Sequence, residues 1–182
     1  MFRYAALVLC LLATAAAAQA DTGGGTGFAE GRWRLQLSGM HGADSGDRID
    51  RTGDRLFTAN AEYEFPITRR QTLALRIYPA LFYDAADSDN VWGAGGGLSW
   101  KIYSKAGEQR GVFAEAATAA IFHDETFAGN GGHIDFLSGL GIGYHFANDW
   151  HLSVKWEHIS NAGLEEPNQG INLVGLAVGV TF

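Results

Sequence analysis

A period of two runs through this chain from about residue 31 to its end, and it constrains the fold more than any other feature. Apolar side chains recur at every second position, which places them on one face of an extended strand. The pattern is clearest late in the chain. Ile134, Phe136, Leu140, Ile142, Tyr144 and Phe146 share one face, against Asp135, Gly139, Gly141, Gly143 and His145. Trp150, Leu152, Val154 and Trp156 oppose His151, Ser153, Lys155 and Glu157, and Val174, Leu176, Val178, Val180 and Phe182 oppose Gly175, Ala177, Gly179 and Thr181. Earlier, Phe57, Ala59, Ala61, Tyr63 and Phe65 oppose Thr58, Asn60, Glu62 and Glu64. Eight such segments are expected, over 31–41, 54–65, 71–84, 91–103, 110–122, 134–146, 150–160 and 172–182. Sustained helical periodicity is absent. Each segment meets or exceeds the roughly 9–11 residues that a tilted membrane-spanning strand needs.

The connections alternate in length. Residues 66–70, 104–109 and 147–149 are short, whereas 42–53, 123–133 and 161–171 are longer and rich in Gly, Asp and Asn. Residues 85–90 are short but polar. Short turns at one end and long loops at the other, with alternating strands, predict an all-β fold: an eight-stranded antiparallel transmembrane β-barrel of the outer membrane. A soluble eight-stranded barrel would point its apolar face inward. Here the polar faces carry many Gly and Ala, which suits a narrow interior crowded by eight strands. The 25 glycines, 12% aromatic residues and only 18% charged residues agree with that choice. The chain ends on Phe182 after an apolar residue at every second position, and barrel closure removes the edge that such a strand would otherwise expose. Pro79 falls inside the third segment, where it lacks a ladder donor and predicts a bulge.

The N-terminus reads as a cleaved signal peptide over residues 1–20. Arg3 supplies the positive start, Ala5 to Ala18 the apolar stretch, and Ala18-Gln19-Ala20 the cleavage site. The barrel is then residues 21–182. Cys10 is the only cysteine and lies in that segment, so the mature chain forms no disulfide. The net charge of −7 argues against nucleic acid as a partner.

Extending the parity of Trp150 to Trp156 places His158 and Ser160 on the lipid-facing wall near the outer rim. Polar groups are costly there and need a reason. Residues two apart on one strand face lie about 6.5–7 Å apart at Cα, so their side chains can meet. A neutral imidazole is the base that makes a serine hydroxyl a nucleophile. Counting back from Phe182, Asn172 faces outward at the same height, in position to orient the imidazole.

The stretch His158-Ile159-Ser160-Asn161-Ala162-Gly163-Leu164-Glu165-Glu166-Pro167-Asn168-Gln169-Gly170-Ile171-Asn172 closely resembles the active-site segment of the lipid A 3-O-deacylase (PagL) family. The resemblance extends more loosely over the whole barrel. It implies hydrolysis of the ester-linked hydroxyacyl chain of lipid A, with lipopolysaccharide as substrate, no cofactor and no metal. It makes Ser160 the nucleophile and His158 the general base. Asn161, or a nearby N–H such as that of Gly163, would be the oxyanion donor, and Asn168 would help hold the loop. The family usually has a carboxylate where Asn172 stands. Glu165 or Glu166 could substitute for it, the enzyme could work with a weaker pair, or activity could be lost. A phospholipase of the same chemistry and a non-enzymatic structural or adhesion barrel are the competing readings, and a homodimer is compatible with any of the three. Inside the barrel, Arg32, Arg34, Glu62, Glu64, Arg76, Glu115, Lys155 and Glu157 are expected to form a solvated ion-pair network. His41, His123 and His133 fall in or beside outer loops, Asp124 and Glu125 being weak candidates for a cation, and His145 and His151 are expected inside near the turn end.

Overall fold

The computed structural model describes residues 31–43 and 49–182. The expected cleavage site and the first ten residues after it lie outside the described residues. Eight strands form a closed barrel in chain order: β1 (Arg32–Gly42), β2 (Arg55–Pro66), β3 (Gln71–Asp84), β4 (Val91–Lys105), β5 (Arg110–His123), β6 (Ile134–His145), β7 (Trp150–Ser160) and β8 (Ile171–Thr181). Each pairs antiparallel with the next, and β8 pairs with β1 to close the ring. Phe182 seals the junction: it and Trp33 exchange both backbone hydrogen bonds at 2.9 Å. The strand bounds match the expected ones to within two residues, because alternation is a local signal that closure does not disturb.

The alternation sorts the side chains as expected. Leu37, Leu140, Ile142 and Val154 stand on the outer wall with more than half of their surface exposed. An apolar wall of that kind is stable only against lipid. Around Pro79 the ladder from β3 to β4 shifts register between Tyr78 and Leu81, and Pro79 and Ala80 both point outward. The proline sits in a bulge, as its missing N–H requires.

The interior has two layers. At the loop end, Met40, Leu56, Tyr83, Val91, Ile121, Phe127, Leu137, Ile159 and Ile171 form a fully buried apolar plug. Below it lies an ion-pair network whose side chains are almost wholly inaccessible, where a solvated one was expected. Arg76 bonds both Glu62 and, at 2.9 Å, Glu115. Lys101 lies 2.6 Å from Glu62, and Lys155 lies 2.6 Å from Glu157. Lys101 was absent from the expected set, yet it reaches Glu62, Glu64 and Glu115. Glycines make room for these side chains: a Cβ on Gly139 would lie 2.8 Å from Cγ of Glu157 on the neighbouring strand. His145 and His151 are buried near the turn end, where the sequence places them.

Candidate active site

β7 carries the outward row Trp156, His158, Ser160 to the loop end of the barrel, where its last turn out of the sheet begins the 161–170 loop. Antiparallel pairing sets Asn172 of β8 directly beside His158. His158 Nδ1 lies 3.0 Å from Asn172 Oδ1. An amide oxygen only accepts, so Nδ1 carries the proton and Nε2 keeps its lone pair. Nε2 is the nitrogen left over for a substrate-side partner. The imidazole is held on two sides. The ring of Trp156 lies nearly parallel to it, with centroids 6.2 Å apart. The backbone of Gly170 lies against the Cε1–Nε2 edge: a Cβ there would fall 2.8 Å from Cε1 and 3.3 Å from Nε2. Gly170 also has φ +74°, which a side chain would strain. Sequence reasoning did not single out Trp156 or Gly170 for this role.

Ser160 is half-buried and pairs across the sheet with Phe136. Among the described residues its hydroxyl makes no hydrogen bond, to His158 or to any other group. Nucleophile–base contacts are often long without substrate and tighten when it binds.

The 161–170 loop is built around Asn161, which is fully buried. Its Nδ2 donates to Glu165 O at 2.7 Å, Gly131 O at 3.1 Å and Pro167 O at 3.3 Å. Its Oδ1 accepts the Gly163 N–H at 2.9 Å, and its own N–H donates to Asn168 Oδ1 at 3.3 Å. Asn161 and Gly163, both expected as oxyanion donors, thus spend their N–H groups within this loop and on Gly131 of the neighbouring one. Asn168 has one end in that loop, with Nδ2 left unclaimed among the described residues. The Ala162 N–H, next to a residue at φ +80°, is likewise unclaimed. Glu165 and Glu166 are exposed, and neither bonds His158. Of the expected orienting groups, Asn172 alone reaches the imidazole.

At the 124–133 loop, Asp124 accepts the N–H groups of Trp92 and Glu125, both at 2.8 Å. The Trp92 N–H, foremost, holds its carboxyl below the usual aspartate range. No group of three or more metal-ligating side chains converges among the described residues.

A model of the family described as lipid A 3-O-deacylase (PagL) matches residues 55–181, from the start of β2 to the end of β8. The chain belongs to the PagL family. It is 35% identical over 78 residues to Lipid A deacylase PagL of Pseudomonas aeruginosa, covering 41% of this chain and 45% of that one. It is 30% identical over 66 residues to Lipid A deacylase PagL of Bordetella bronchiseptica, covering 35% of this chain and 37% of that one. The matched stretches therefore span less than half the length of these curated relatives. In fold, the chain is similar to the crystal structure of the outer membrane enzyme PagL, with TM-score 0.61 and 21% identity over 80% of this chain and 98% of that one. It is similar at TM-score 0.51 and 10% identity to Neisserial surface protein A, over 87% of this chain and all of that one. At such identities the structural likeness speaks for the barrel alone.

Proposed function

We propose that this PagL-family barrel is a lipid A 3-O-deacylase of the outer membrane. One observation carries the reading beyond family membership: an imidazole fixed by Asn172 on the lipid-facing wall, two residues from an unbonded serine hydroxyl. The acyl chains of a membrane lipid already lie against that wall. The row that runs from Ser160 through Phe136 reaches Ala120 on β5, and outward Ala114 and Ala116 continue below it. These small side chains are the part of the wall against which one acyl chain is proposed to lie.

His158 Nε2 takes the Ser160 proton as Oγ attacks the ester carbonyl. The tetrahedral intermediate places a negative charge on the former carbonyl oxygen, and preorganised N–H donors stabilise it. Asn168 Nδ2 and the Ala162 N–H are among the donors of this loop that no described residue claims, and they are assigned that role. Collapse breaks the bond to the sugar oxygen, which takes the proton from His158. Water, deprotonated by His158, then releases the acyl chain from Ser160. No step needs a metal.

The test is mass spectrometry of lipid A from cells that express the wild type or Ser160→Ala. Loss of one hydroxyacyl chain with the wild type, and an unchanged profile with the variant, supports the reading. Chain release from glycerophospholipid alone would make it a phospholipase. No release from any lipid would leave a non-enzymatic barrel.

A further inference from the structure

The Gly170 backbone that flanks the imidazole is itself held from inside the barrel. The Gly170 N–H donates to Asn130 Oδ1 at 2.9 Å. Asn130 Nδ2 donates to Asp135 Oδ1 at 3.1 Å, and Asp135 Oδ2 lies 2.9 Å from His123 Nε2. His123 Nδ1 ends the chain on the Glu125 carbonyl at 2.8 Å. Asn130 and Asp135 are 3% and 0% exposed, so neither can touch a lipid. A buried amide of this kind persists only if it is fully bonded, and this one has its Oδ1 and its Nδ2 engaged. His123 and Asp135 belong to the β5–β6 hairpin, whereas Gly170 is the loop residue just before β8. The relay thus ties the far side of the neighbouring hairpin to the one backbone segment that a side chain could not share with His158.

We infer that Asn130 is a positioning residue for His158, acting through the backbone of Gly170; this rests on reading His158 as the general base. Asn130 fixes how far the Gly170 backbone advances on the imidazole. Without the Asn130 acceptor, Gly170 relaxes and the ring gains room to swing away from Ser160. A misplacement near 1 Å lowers turnover by up to about a hundredfold. Because Asn130 never meets substrate, KM stays where it is.

The experiment uses the full purified barrel in micelles with lipid A, and follows kcat, KM and the folded fraction by heat-dependent gel mobility. Asn130→Ala is expected to fold and to lose about tenfold to a hundredfold in kcat at unchanged KM. Asn130→Asp keeps the acceptor for Gly170 but sets two carboxylates together, and is expected to lose activity as well. Adding Asp135→Asn to Asn130→Asp restores a donor–acceptor match at every link, and is expected to recover kcat. Wild-type kcat in Asn130→Ala overturns the inference. So does a rise in KM at constant kcat, or failure of the double variant to recover, since either marks a role in loop structure alone. If Asn130→Ala does not fold, the double variant decides on its own. His158→Ala in parallel separates the two levels: if it keeps activity, the reading of His158 falls first.

Discussion

An imidazole serves as a base at Nε2 only while its other nitrogen holds the proton, and the partner of Nδ1 decides that. A carboxylate can only accept, so it enforces the useful tautomer and offsets the imidazolium that forms during attack. Asn172 accepts through Oδ1 in this structure, but an amide can turn and present Nδ2 instead. Turned, it would pull the lone pair of Nδ1 toward itself and leave Nε2 protonated. Asn172→Asp is nearly isosteric and removes that alternative, and is expected to raise kcat by about tenfold or more. Asn172→Ala should lower it, and steady-state rates of acyl release check both. An unchanged rate in Asn172→Ala would move the orienting group elsewhere. Gly170→Ala probes the other side of the ring. Its Cβ would meet Cε1 of His158 at a backbone angle costing about 1–2 kcal/mol, so kcat should fall with the smallest substitution available. The outward placement of His158 and Ser160, with Asn172 beside His158, was legible because parity and pairing follow from counting. Gly170 was not, since nothing local says which glycine abuts an imidazole.

At the scale of elements, the strands could be read almost to the residue, while the loops could not. A strand announces itself every second position, and Pro79 even marks its bulge. The 161–170 loop depends on contacts that sequence spacing does not encode: Asn161 reaches Gly131, thirty residues earlier, and the bridge between Asn130 and Asn168 ties the same two loops. That is why Asn161 reads in sequence as an oxyanion donor and in structure as the hub of its loop. His123 lies beside an outer loop as expected, but its bond to Asp135 went unforeseen for the same reason, because that partner lies across a hairpin. Asn161→Ala removes the donor to three carbonyls and the acceptor of one N–H, each loss worth about 1–3 kcal/mol where water cannot compensate. Those bonds lie outside the strands. The variant should therefore keep the barrel's heat-resistant gel mobility, admit proteases between residues 161 and 170, and lose most acyl release. Loss of the folded barrel instead would show that the loop supports the sheet.

For the whole molecule, the two faces of the wall do separate work. The outside meets lipid and carries the candidate chemistry. Among the described residues, the layer below the apolar plug holds four cations, Arg34, Arg76, Lys101 and Lys155, against four carboxylates, Glu62, Glu64, Glu115 and Glu157, all nearly inaccessible. Balance is what makes such a layer tolerable. Removing one partner of a buried pair leaves a bare charge and costs about 3–5 kcal/mol, whereas removing both is often close to neutral. Glu62 is the severest place to break it, since it accepts from Arg76, from Ser99 at 2.9 Å and from Lys101 at 2.6 Å. Glu62→Gln is therefore expected to lower the free energy of unfolding by about 3–5 kcal/mol, read from urea titration of the barrel in lipid vesicles. Glu62→Gln with Lys101→Met leaves three charges facing three, and should regain much of the loss. Both variants should release acyl chains at the wild-type kcat while folded, because the network lies on the opposite face of the wall from His158. A fall in kcat that tracks the stability loss would mean that the interior layer, and not only the loops, sets the geometry of the outer wall.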